Sequence, residues 1–111
     1  MSIFTTKPTK ELTGEEFKDL LDGLLIEVSP HALDHLSEGQ RKVFKERELK
    51  DMILKENPRK TYLQENFRYS AYFRRSDGFR RLIIELDNNK AVIVTFTDTH
   101  ELPKIRLNNE K

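Results

Sequence analysis

Phe67–Thr97 leaves this chain the least freedom in what it can fold into. From Phe67 to Arg75 (FRYSAYFRR), Phe67, Tyr69, Ala71 and Phe73 are apolar, while Arg68, Ser70, Tyr72 and Arg74 are mostly polar. Successive side chains of a strand point to opposite faces, so this alternation predicts a strand with one buried face. Asp77-Gly78 follows. That dipeptide is a hairpin signal, because a type I′ loop needs positive φ at both central residues. In Phe79–Asp87 the pattern sends Leu82, Ile84 and Leu86 inward, and Arg81, Ile83 and Glu85 outward. Asn88-Asn89 marks a second turn. Lys90–Thr97 then places Val92, Val94 and Phe96 inward, with Ile93, Thr95 and Thr97 outward.

Matching apolar faces across the turns predicts the registers. An Asp77-Gly78 loop pairs Phe73 with Leu82 and Ala71 with Ile84. A three-residue loop at Asn88–Lys90 pairs Leu86 with Val92, Ile84 with Val94 and Leu82 with Phe96. The second face then carries rows Arg74–Arg81–Thr97, Tyr72–Ile83–Thr95 and Ser70–Glu85–Ile93. One face is a core. The other gathers arginine, tyrosine, threonine and glutamate, and is the first place to look for function.

A chain of 111 residues fits one domain, 1–111, with a single core. It has no cysteine, hence no disulfide framework and no thiolate chemistry. The N-terminal MSIFTTKPTK lacks the apolar run of a signal peptide, and no apolar stretch nears membrane-spanning length. A cytoplasmic protein without a membrane partner is expected. The net charge of +1 is unevenly spread: −5 over residues 1–40, +7 over 41–81 and −1 over 82–111. The basic middle could meet a polyanion, or could simply be a well-charged surface.

Before the strands, the signals are helical. Residues 1–11 are polar and read as a loose arm, with Ile3-Phe4 as a candidate edge strand. Thr13-Gly14-Glu15-Glu16 is a capping box opening a helix with Phe17, Leu20, Leu21 and Leu24 on one face. Leu25–Val28 reads as a link or short strand. Ser29-Pro30 starts a second helix, with Ser as cap and Pro at the first position. After a break near Ser37-Glu38-Gly39, helix resumes over Arg41–Glu56. Val43 or Phe44, then Leu49, Met52 and Ile53, face inward, and Arg47, Lys50 and Lys55 face outward. Asn57-Pro58 stops it. Arg59–Gln64 is a first strand, and Asn108–Lys111 a frayed end. The expected class is α+β: N-terminal helices packed on one face of an antiparallel sheet of about four strands.

Three features bear on chemistry. His31 stands at a helix start, which favours a neutral imidazole or an anion contact; a surface or capping histidine is the plainer reading. His31 and His35 are spaced i, i+4, but zinc needs a third ligand and His100 is the only other histidine. No HExxH motif, phosphate-binding glycine loop or dinucleotide fingerprint is present, so neither metal nor cofactor is expected. Arg68, Arg74, Arg75, Arg80 and Arg81 lie on or beside one hairpin among Phe67, Tyr69, Tyr72, Phe73 and Phe79. Guanidinium forks match phosphates and aromatic rings stack on bases, the pattern of an RNA-binding face. A solvated sheet face is the plain alternative.

Val28-Ser29-Pro30-His31-Ala32-Leu33-Asp34-His35, Arg47–Ile53 and Asn57-Pro58, with Val92–Thr97 as a closing strand, resemble a small prokaryotic HA-motif domain family of undefined function. That family is similar in plan to the RelE and BrnT toxins and to barnase-like nucleases. Two positions depart from its pattern: His35 stands where an arginine is usual, and Phe96 where a tyrosine is usual. The resemblance implies a metal-independent toxin-type endoribonuclease that cleaves RNA by 2′-OH attack, with a cognate antitoxin as a further partner. His31 would be acid or base, and Arg81 and Arg68 the phosphate clamp. Tyr72 and Thr97 would be hydrogen-bond partners and Glu85 an alternative base. Arg74, Arg75 and Arg80 would add to the RNA-binding surface. The alternatives are a non-catalytic module binding nucleic acid or protein, and a family member without an active site.

Overall fold

The computed structural model describes residues 7–34 and 39–105. In chain order the elements are β1 (Pro8–Leu12), α1 (Gly14–Leu21), β2 (Leu25–Val28), a 3₁₀ turn (Pro30–Leu33), α2 (Gly39–Lys55), β3 (Lys60–Gln64), β4 (Tyr69–Arg75), β5 (Gly78–Asp87) and β6 (Lys90–Thr99). The strands form one six-stranded sheet in the order β1-β3-β4-β5-β6-β2. All neighbours are antiparallel except β2, which runs parallel to β6.

This corrects the expected plan of N-terminal helices on a four-stranded antiparallel sheet. The sheet is mixed, and the helices thread between its strands. β1 occupies one edge and β2 the other, with α1 between them in sequence, so α1 carries the chain across about 24 Å of sheet, five strand spacings. Neither edge strand announces itself by alternation. β1 reads PTKEL, and Pro and charged residues suit an edge because they discourage further pairing. It is held by its ladder to β3, by Thr9 Oγ1 donating to the Leu63 carbonyl (3.1 Å) and by the Glu65 amide donating to the Lys7 carbonyl (2.9 Å). Residues 8–11 are therefore strand, not loose arm. The expected Ile3-Phe4 strand and the frayed end at Asn108–Lys111 lie outside the described residues.

The local start signals act as the sequence implies. Thr13 Oγ1 accepts from the Glu16 amide (3.0 Å), and Glu16 Oε1 accepts from the Thr13 amide (2.8 Å). Ser29 Oγ accepts from the His31 amide (3.1 Å), but what it caps is a single 3₁₀ turn. The helices cover one face of the sheet. Phe17, Leu33, Leu49, Met52 and Ile53 pack there against Ala71, Phe73, Leu82, Ile84, Ala91 and Ile93. Phe17 meets Phe73 edge to face, with ring centroids 6.5 Å apart.

Both hairpins depart from the expected registers. Arg75 pairs with Gly78, so the first loop is Ser76-Asp77; Ala71 meets Leu82 and Phe73 meets Arg80. This slip of two residues keeps every face. Neither loop residue has positive φ, so the turn is not type I′. Glycine is instead required one step later: at Gly78 (φ +151°) a Cβ would run into the Thr99 carbonyl oxygen and lie 3.0 Å from His100 Cα. In the second hairpin Asp87 pairs with Lys90 across a two-residue Asn88-Asn89 loop, with Asn88 at φ +58°. Near this turn the register is one residue off the expectation, and a bulge at Val94 restores it: Ile84 pairs with Ile93, Ile83 with Thr95 and Leu82 with Phe96. Ile93 is therefore core, and Val92 joins Glu85 on the other face. Phe67 is also not an inward strand residue. It sits exposed in the β3–β4 turn at φ +68°.

Candidate functional site

Strand alternation divides the arginines. Consecutive residues point to opposite faces, so Arg74 and Arg75 separate, as do Arg80 and Arg81. Arg75 and Arg80 fall on the helical side and clamp α2. Arg75 Nη1 reaches Glu56 Oε1 at 3.0 Å. Arg80 donates from Nη1 to Glu48 (3.1 Å) and from Nε to Asp98 (2.8 Å). The Arg80 hydrogen bond holds the Asp98 carboxyl below the usual carboxylate range. Burial alone would push Glu48 up, but Lys45 and Arg80 outweigh it and hold Glu48 low as well. These two guanidiniums are spent on protein carboxylates.

Arg81 lies on the face away from the helices, in the row Tyr72–Arg81–Thr97. Its Nε donates to Ser70 Oγ (2.7 Å) and its Nη2 to Gln64 Oε1 (3.0 Å), and its guanidinium lies 5.8 Å from the Tyr72 ring centroid. Ser70 and Gln64 are fully buried, and Tyr62 and Tyr72 nearly so. The Tyr72 hydroxyl is 3.3 Å from that of Tyr62. Burial, with the Tyr62 contact, pushes the Tyr72 hydroxyl up to about 12, so it stays protonated near neutrality. β3 supplies Tyr62 and Gln64, β4 supplies Ser70 and Tyr72, and β5 supplies Arg81. The result is a ring of polar groups that answer one another.

The other expected site residues are dispersed. Thr97 is exposed beside Arg81 in the register. Glu85 lies four residues along β5 from Arg81, about 13 Å at strand rise, and pairs with Arg68 at 3.2 Å. Arg74 is exposed, its guanidinium 5.2 Å from the Phe79 ring centroid. His31 stands in the 3₁₀ turn whose Leu33 enters the helix-side core. Its imidazole is 83% exposed, with Nδ1 3.7 Å from Asp34 Oδ2. Arg81, Tyr72 and Thr97 are thus brought together; His31, Glu85 and the remaining arginines are not. His35 lies outside the described residues. Among the described residues no group of three or more His, Cys, Asp or Glu is placed to hold a metal ion, and no helix is long and apolar enough to cross a membrane.

The surface that sequence reasoning misses is the outer side of α2. Leu49, Met52 and Ile53 turn inward as expected. Val43 and Phe44 do not: they are 62% and 72% exposed, and Leu54 is 63% exposed. Shallow grooves flank the ridge formed by Arg47 and Asp51. One, of about 330 Å³, runs between Val43 and Leu54. The other, of about 360 Å³, lies toward Phe44, Glu56 and Arg75. Arg47 has no carboxylate partner among the described residues. The available signal was spacing: Phe44, Arg47, Asp51 and Leu54 follow a 3-4-3 interval, a second helical stripe opposite the core stripe.

Compared with protein-family models, curated proteins and solved structures, the chain matches none.

Proposed function

We propose that this chain is a non-catalytic module that binds protein through the outer face of α2. The observation that carries this reading is the exposure of Val43, Phe44 and Leu54 along one helix, rimmed by Arg47, Lys50 and Asp51. Large apolar side chains grouped inside a charged rim are what a protein interface uses. RNA cleavage is less well supported. It needs an acid and a base around one phosphate, with cations free to take up developing charge. Here Tyr72 holds its proton, Arg80 and Arg75 are paired with carboxylates, and His31 sits in a turn on the helical side.

A photo-crosslinking residue placed at Val43, with a second at exposed Arg59 as control, tests the reading in cells. Protein adducts are expected from position 43 and not from 59. An RNA substrate incubated with the purified chain should stay intact. Absence of adducts at 43, or RNA cleavage that His31→Ala abolishes, would overturn it.

A further inference from the structure

The α2 face has a register of its own. Phe44, Arg47, Asp51 and Leu54 take the a, d, a and d positions of a heptad. On that frame the buried residues Leu49, Met52 and Ile53 fall at f, b and c, on the opposite side of the helix. The seam is therefore free of the fold it is attached to. Its charges select a direction. A parallel copy would set Arg47 against Arg47 and Asp51 against Asp51. An antiparallel copy, centred opposite Leu49, sets Phe44 against Leu54 and Arg47 against Asp51. Each contact then occurs twice about a two-fold axis, as an isologous interface demands. The grooves on either side of the Arg47–Asp51 ridge give an incoming side chain a hole to enter, as knobs-into-holes packing requires.

We infer that the partner of this face is a second copy of the same chain, joined through antiparallel α2 helices with Phe44–Leu54 and Arg47–Asp51 contacts across the axis. This rests on the reading of α2 as a protein-binding surface. Asp51 is available for it. Its own bridge to Lys55 spans 3.7 Å between largely exposed groups, and such a pair contributes little. The seam runs eleven residues, Phe44 to Leu54, about 15 Å of helix. So short a seam falls at the small end of interfaces, whose stable members bury roughly 800 Å² per partner, and the dimer is a weak one.

Charge reversal tests the register directly. In sedimentation velocity from low-micromolar to sub-millimolar concentration, the wild-type chain should pass from monomer to dimer. Arg47→Asp puts two carboxylates together in each contact, and Asp51→Arg puts two guanidiniums together. Each variant alone should dimerise about tenfold more weakly or worse, as doubled like-charge contacts do. Mixed in equal amounts the two are complementary at both contacts and should form a heterodimer. The double reversal in one chain should dimerise again. Both side chains lie on the helix surface, and circular dichroism melts should match the wild type, which separates lost pairing from lost folding. A wild-type chain that stays monomeric throughout, or a mixture no better than its components, overturns the inference. Should position 43 still crosslink to a different protein in that case, the binding-module reading stands and only the self-partner falls.

Discussion

The arginine row and the outer face of α2 are opposites. Around Arg81, polar groups are buried and satisfied by one another: Ser70, Gln64 and Tyr72 all turn toward it. Along α2, apolar groups are exposed and satisfied by nothing within their own helix face. In the sequence each resembles the other's role. Arginines beside tyrosines look like a site, and Phe44 and Leu54 look like core. Burial with partners argues for structure, and apolar exposure argues for contact with something else.

The contrast breaks or holds on a pair of leucines in one helix. Leu49 is fully buried and Leu54 is not. Leu49→Ala should cost about 3 kcal/mol in denaturant unfolding, as truncations in a packed core do. Leu54→Ala should cost under about 0.5 kcal/mol in the monomer, as surface changes do. Equal losses would remove the distinction. Arg81→Ala comes next, at about 2–3 kcal/mol, because it strands the buried Ser70 and Gln64 side chains without their donor. A loss near zero would mean that Arg81 is free for a ligand after all.

Much of the capping and of the inward strand faces was legible. Thr13, Glu16, Ser29 and Pro58 stand where their chemistry placed them, and the inward faces of β4 and β5 from Tyr69 to Leu86 follow period two. What failed was decided by neighbours distant in sequence, although the Leu82–Phe96 pairing is as expected. β1 takes its state from the edge it joins, so polar PTKEL could not reveal a strand; Leu25–Val28 was readable as a short strand, but its parallel pairing with β6 was not. The two-residue slip of the first hairpin depends on the close pass of Gly78 by Thr99, which is 21 positions away. The Val94 bulge reconciles a tight Asn88-Asn89 turn with a core that needs Ile93, and alternation alone cannot contain an extra residue. The arginine cluster misled for a simpler reason. Adjacency in a strand is separation in space, and applying period two to Arg74-Arg75 and Arg80-Arg81 would have divided them.

Two smaller effects sharpen the picture of the sheet. Thr61 is buried, and its Oγ1 has no hydrogen-bond partner among the described residues. Thr61→Val keeps the shape and removes the unanswered hydroxyl, so it should stabilise by about 1 kcal/mol in thermal or denaturant melts. Destabilisation would reveal a partner for that hydroxyl. Tyr72 supplies a pH signature. Its folded value of about 12 lies above the ordinary phenol value of 10.0. The unfolded chain loses this proton first as pH rises, so the stabilising contribution is intact below pH 10.0 and declines between there and about 12. Tyr72→Phe should flatten that alkaline decline. A wild-type chain whose stability is level across this range would contradict the buried hydroxyl pair.

The most direct test of which region meets a partner is a concentration series of amide nitrogen–proton correlation spectra on the wild-type chain. Shifts that grow with concentration are expected at Val43, Phe44, Arg47, Asp51 and Leu54, while Ser70, Tyr72 and Arg81 stay fixed. Shifts centred on Ser70, Tyr72 and Arg81, or none anywhere up to sub-millimolar concentration, would contradict the assignment of α2 as the contact surface between copies of this chain.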